Sequence, residues 1–119
     1  MPDQPTLDPA AIEALRALSP DTDGTFLREL IEIYLQDTPE RLADLDAALA
    51  QNDAKALMRA AHTIKGSSSN FGATRLAHLA QEIELHGKAG TCGPVPPLVP
   101  GLKAEFAAVA QALGKVAGA

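Results

Sequence analysis

The chain has 119 residues, enough for one compact domain with its own core and too few for two. Of these residues 46% are hydrophobic but only 3% aromatic, and the apolar ones are mostly Ala and Leu, which suit helices and serve strands poorly, so an all-α protein is expected. A formal net charge of -5, with the acidic residues spread along the chain, excludes a surface that neutralises nucleic-acid phosphates, which needs clustered Lys and Arg; the expected partners are proteins.

No segment approaches the roughly 20 apolar residues that cross a bilayer. The N-terminal stretch lacks a basic cluster followed by an apolar run, so a cytoplasmic location without membrane association is expected. The single Cys92 can form no internal disulfide, and nothing near it has metal-ligand spacing; it reads as a passive thiol in a loop.

Residues 1–8 hold Pro2 and Pro5 and no apolar period, which predicts a flexible tail ahead of a domain over 9–117. Pro9 suits a first helical turn, Ile12, Leu15 and Leu18 recur at intervals of three, and Ser19-Pro20 ends this short helix. A turn follows over 19–24, with Asp23 as the expected N-cap of the next helix. From 25 to about 51, Leu27, Ile31, Tyr34, Leu42, Leu45 and Leu49 form one stripe of a long amphipathic helix. Pro39 interrupts it, but the pattern resumes in register, so a kinked continuous helix is expected.

Asn52-Asp53 caps a third helix that runs to Ser69 and closes at Asn70-Phe71-Gly72, with Gly72 as the left-handed residue. Thr74 is the expected cap of a fourth helix through His86, with Leu76, Leu79, Ala80 and Ile83 inward and Gly87 as its stop. Glycines and prolines over 87–97 predict a loop. Pro100 then fits the first turn of a last helix carrying Leu102, Phe106, Val109, Leu113 and Val116. Together these elements predict an antiparallel four-helix bundle with a short N-terminal lid helix.

On a wheel of about 100° per residue, Leu57, Ala60, Ala61, Ile64, Ser67, Ser68 and Phe71 share one arc of the third helix. The opposite arc holds His62 with Lys55, Met58, Arg59, Lys65, Gly66 and Ser69. Glycine inside a helix costs about 0.5–1 kcal/mol relative to Ala, and packing cannot explain one that faces away from the core. Beside His62 it would leave clearance for another molecule. Imidazole titrates near pH ~6.5 and offers an uncharged nitrogen lone pair at neutral pH, while lysine one turn along supplies a mobile countercharge. Nucleophile, countercharge and clearance are the parts of a phosphoryl acceptor. Each residue alone has an ordinary reading: a solvated histidine, a solvated lysine, a small-residue contact.

The string Ala61-His62-Thr63-Ile64-Lys65-Gly66-Ser67-Ser68-Ser69-Asn70-Phe71-Gly72-Ala73 closely resembles the signature of histidine-containing phosphotransfer (HPt) domains, His-x-x-Lys-Gly followed six residues later by another Gly. The likeness extends over 76–84 and covers most of the chain. It implies that His62 is phosphorylated, that Lys65 steadies the phosphoryl group and that Gly66 leaves room for the partner. It also implies a monomeric phosphocarrier that is not itself an enzyme and binds no cofactor. In this family response-regulator receiver domains, which supply magnesium, and a hybrid sensor histidine kinase are the partners. Some relatives have Gln where this chain has Glu84. A carboxylate there would repel the phosphoryl group, so Glu84 either points away or pairs with Lys65.

The expected docking surface around His62 contains Lys55, Met58, Arg59, Thr63 and Ser69 by the wheel, and Ile12 on the lid by the resemblance. Lys55, Arg59 and Lys65 form a basic strip that would attract an acidic receiver pocket. Two readings compete: a metal-binding bundle, given His62, His78 and His86, though the Glu-x-x-His pairs of such sites are missing, and a helical adaptor that binds a receiver without accepting phosphate, whose marker would be loss of the histidine, whereas His62 is present. No Gly-rich phosphate loop supports a nucleotide-dependent kinase.

Overall fold

The computed structural model describes residues 6–18 and 24–118. Among these residues five α-helices follow one another: α1 (Pro9–Ala17), α2 (Thr25–Ala50), α3 (Ala54–Ser69), α4 (Thr74–Lys88) and α5 (Val99–Gly118), with a 3-10 turn at Pro96–Leu98 leading into α5. No strand occurs among the described residues. Helices α2 to α5 form the bundle and α1 lies over it as the lid. Short turns join α2 to α3 and α3 to α4, which obliges consecutive helices to run antiparallel. The interface between α3 and α4 is the most extensive in the molecule, followed by that between α2 and α3.

The apolar stripes meet as their periodicity predicts. Leu27, Ile31, Tyr34, Leu42 and Leu45 of α2 face Leu57, Ala61 and Ile64 of α3, Leu76, Ala80 and Ile83 of α4, and Leu102, Val109 and Leu113 of α5. The helix α2 continues through Pro39 without a break. One of the three consecutive serines has a core role: buried Ser68 shares a 2.8 Å hydrogen bond with the Tyr34 hydroxyl. Burial pushes the Tyr34 phenol above its ordinary pKa, and its hydrogen bonds to Ser68 and Thr38 partly offset that. The Tyr34 ring packs tilted against Phe71 and Phe106, with centroids 5.0 and 5.9 Å away.

Several local expectations change. Residues 1–5 of the predicted tail lie outside the described residues; its last residue is held in place, because Asp8 caps α1 by accepting from Ala10 N–H and donates its own N–H to the Gly72 carbonyl at 2.9 Å. Gly72 has the left-handed φ of +69°, and a Cβ there would lie 2.6 Å from Asp8 Cβ, so the lid seats on this glycine. Asp23 lies outside the described residues; Gly24 occupies the N-cap position of α2. Thr74 is the first helical residue of α4, not its cap, which is Ala73. The stretch read as a loop supplies the core with Val95 and Cys92, so Cys92 is a buried thiol.

Gly87 does not stop α4, which runs to Lys88. It marks instead the close approach of α3 and α4: a Cβ there would lie 2.9 Å from both Met58 Cβ and Met58 N. Gly66 is its opposite, with nothing within 4 Å of where a Cβ would sit. The same substitution should therefore have opposite signs at the two sites. Gly66→Ala gains helix propensity at no steric cost and should raise stability by about 0.5–1 kcal/mol. Gly87→Ala must displace backbone and should lower it by about 1–2 kcal/mol. Thermal unfolding of both variants measures the pair, and an equal shift in both would refute the packing account.

Candidate functional site

His62 sits near the middle of α3, a helix capped by Asp53, whose side chain accepts from Ala56 N–H at 3.0 Å. Burial of Leu57, Ala61 and Ile64 fixes the rotation of α3 and turns His62 outward, with its side chain 66% exposed. Its Nδ1 lies 2.8 Å from Oε2 of Glu84 on α4. Glu84 is buried between the two helices and is held on its other oxygen by Lys65, with Nζ 2.6 Å from Oε1. Lys88, one turn further along α4, brings its Nζ to 3.9 Å from Oε2. Glu84 therefore does not point away; of the two alternatives it takes the pairing with Lys65, and adds a bond to His62.

Burial raises the Glu84 pKa, but hydrogen bonds from Lys65 and His62, reinforced by their charges, outweigh it and hold the carboxyl below its ordinary range. An ionised carboxylate only accepts. The His62 nitrogen facing it therefore donates, and in the neutral imidazole the lone pair is then on Nε2, directed away from Glu84. A carboxylate bonded to one ring nitrogen fixes the tautomer and orientation of the imidazole and raises the basicity of the other nitrogen.

The cleft beside His62 is lined by Met58, Arg59, Thr63, Glu84 and Lys88. Lys55, Arg59, Thr63, Gly66 and Ser69 are exposed and Met58 is half-buried, all on the His62 side of α3 as the wheel predicts. The Thr63 and Ser69 hydroxyls donate within the helix, to the carbonyls of Arg59 and Lys65 at 3.1 and 2.8 Å. Ile12 is a correction: its side chain is only 5% exposed and packs in the core, because the lid turns that face inward, so it offers no docking surface.

Two features escape the sequence reading: the bond of buried Glu84 to His62 and an apolar groove beside α1. Glu84 follows Leu76 and Ala80 at intervals of four, so a carboxylate stands on the buried stripe of α4, and that misfit was the available signal. Leu15, Leu30, Ile33, Tyr34 and Phe71 line an apolar groove between α1, α2 and α3, with Ile33 63% exposed. Its signal was Leu30 and Ile33 lying off the main stripe of α2. Among the described residues no three His, Cys, Asp or Glu side chains gather to hold a metal ion, and no helix is long and apolar enough to cross a membrane.

Residues 29–112 match the family model of the Hpt domain. Multistep phosphorelay regulator 1 of Schizosaccharomyces pombe is 27% identical over 85 residues, 71% of this chain, and the chain spans 29% of that protein's length. The crystal structure of histidine-containing phosphotransfer protein B (HptB) from Pseudomonas aeruginosa PAO1 superposes with a TM-score of 0.86 at 32% identity, over 96% of both chains. The HPT domain of a sensor hybrid histidine kinase from Shewanella shares the fold, with a TM-score of 0.74 at 24% identity over 93% of this chain and 92% of that one. An exposed histidine on a bundle helix, the motif that carries it and a match over most of the length agree: this chain belongs to the Hpt domain family of histidine phosphotransfer proteins.

Proposed function

We propose that the chain is a phosphocarrier of a multistep phosphorelay, with His62 Nε2 as the atom that accepts and releases the phosphoryl group. The observation behind this reading is the 2.8 Å contact of Nδ1 with Glu84, which leaves Nε2 as the free, outward nucleophile. The Nε2 lone pair attacks the phosphorus of a receiver's aspartyl phosphate. The N–P bond forms, the P–O bond breaks and its electron pair returns to the aspartate carboxylate. The Nδ1 proton stays in place, shared with Glu84. Keeping that proton makes the ring a better leaving group when a second receiver carboxylate attacks in turn.

Lys65 enters this scheme differently from the simplest expectation. Its ammonium lies against Glu84, so it compensates the carboxylate that would otherwise repel the phosphoryl group. The chain acts as a monomer in the cytoplasm and needs no cofactor of its own; magnesium resides in the receiver. A hybrid sensor kinase feeds the relay, and the carrier contributes no kinase activity.

Transfer from phosphorylated receivers of the same cell tests the reading: acid-labile, base-stable label should reach His62. Gly66→Glu should cut transfer at least tenfold by closing the clearance, with helicity unchanged by circular dichroism, since the site opens to solvent. Normal transfer by that variant would remove Gly66 from the docking surface.

A further inference from the structure

The cations around His62 are not equivalent. Lys65 is matched one for one with Glu84 at 2.6 Å, and its side chain is only 29% exposed. Drawing Lys65 away would leave a buried carboxylate without its main partner, a costly arrangement. Lys88 stands 3.9 Å from the other oxygen, Oε2, the one that also accepts from His62 Nδ1, and its side chain is 58% exposed. It can leave Glu84 while that carboxylate keeps both Lys65 and the imidazole N–H. A phosphoryl group on Nε2 adds up to about two negative charges to this cleft, and the cleft's lining includes Lys88.

Resting on the phosphocarrier reading, we propose that Lys88 is the mobile cation that swings from Glu84 to the phosphoryl oxygens of phosphorylated His62 and prolongs the life of the N–P bond. Lys65 is then the fixed partner of Glu84, and Lys88 the one that responds to the group's arrival. The simpler role for Lys88, a cation favouring the C-terminal end of α4, predicts a change in helix stability alone.

Phosphoramidate separates the two roles without any receiver. The Nε2 lone pair forms the N–P bond as the donor's own P–N bond breaks and ammonia leaves. Occupancy of His62 is followed at neutral pH by peptide mass spectrometry, which distinguishes it from His78 and His86. Lys88→Ala should shorten the half-life of the modified His62 about fivefold, equivalent to ~1 kcal/mol. Lys88→Arg should restore it, and the difference should narrow in molar salt. Lys115→Ala, removing an exposed cation of α5 that does not line the cleft, should leave the half-life within about twofold of the parent. An unchanged half-life in Lys88→Ala, or equal shortening in Lys115→Ala, overturns the proposal. Failure of His62 to take the label in the parent chain would instead count against the carrier reading, and the proposal would fall with it.

Discussion

His62→Gln should abolish acid-labile phosphate on the chain, with receiver-to-carrier transfer falling below about one hundredth of the parent rate, while the fold stays intact. The side chain is 66% exposed, so the substitution leaves the core of α3 untouched. The Gln amide can still donate to Glu84, so the buried carboxylate keeps two partners. What disappears is the nitrogen lone pair, and no other histidine has the same preparation. His78 is exposed and His86 half-buried, and among the described residues no hydrogen bond or ion pair joins either imidazole to a carboxylate. Label transfer from a phosphorylated receiver, paired with thermal unfolding, decides the matter. Full labelling of the His62→Gln chain would refute the assignment outright.

Substitutions of Glu84 should separate its two duties. Glu84→Leu removes the acceptor that keeps the proton on Nδ1 and strands Lys65. Transfer should slow about tenfold, the scale on which an outer partner of a working histidine acts, and stability should fall by about 1–3 kcal/mol. Glu84→Gln retains a carbonyl acceptor and loses the charge, so transfer should stay within about threefold of the parent. Nitrogen NMR of the imidazole reads which nitrogen bears hydrogen, and an unchanged Nδ1–H in Glu84→Leu would show that the carboxylate does not set it.

The same residue carries a pH signature. Its pKa in the folded chain lies below the ordinary carboxylate value. It therefore contributes stability above that ordinary value, and the contribution is lost as pH falls through the lowered one. Acid unfolding of the parent should include this component, and Glu84→Gln should lack it.

Most of the bundle was legible because each long helix writes its buried face into the spacing of its own apolar residues. Tyr34 and Leu42 stay on one stripe across Pro39, and Gly72 announced the end of α3. The arc holding His62, Lys65 and Gly66 was legible for the same reason. What escaped depends on where one helix sits against another. Nothing local says that Glu84, 22 residues from His62, will meet its imidazole. Ile12 follows the lid's apolar period, but only docking of the lid on Gly72 decides that its face is covered. Gly87 looked like a helix stop because glycine so often is one, whereas its role is set by Met58 on another helix.

Gly87 lies three residues beyond Glu84, and the backbone it meets is at Met58, four residues before His62. A single hydrogen atom in place of a methyl group thus acts as a gauge block between the two helices, one turn from the imidazole–carboxylate bond. The reach of that bond is a manufacturing tolerance of the bundle. Alleles at Gly87 that leave every reactive group in place can still detune the relay, and a survey confined to the histidine motif would pass over them.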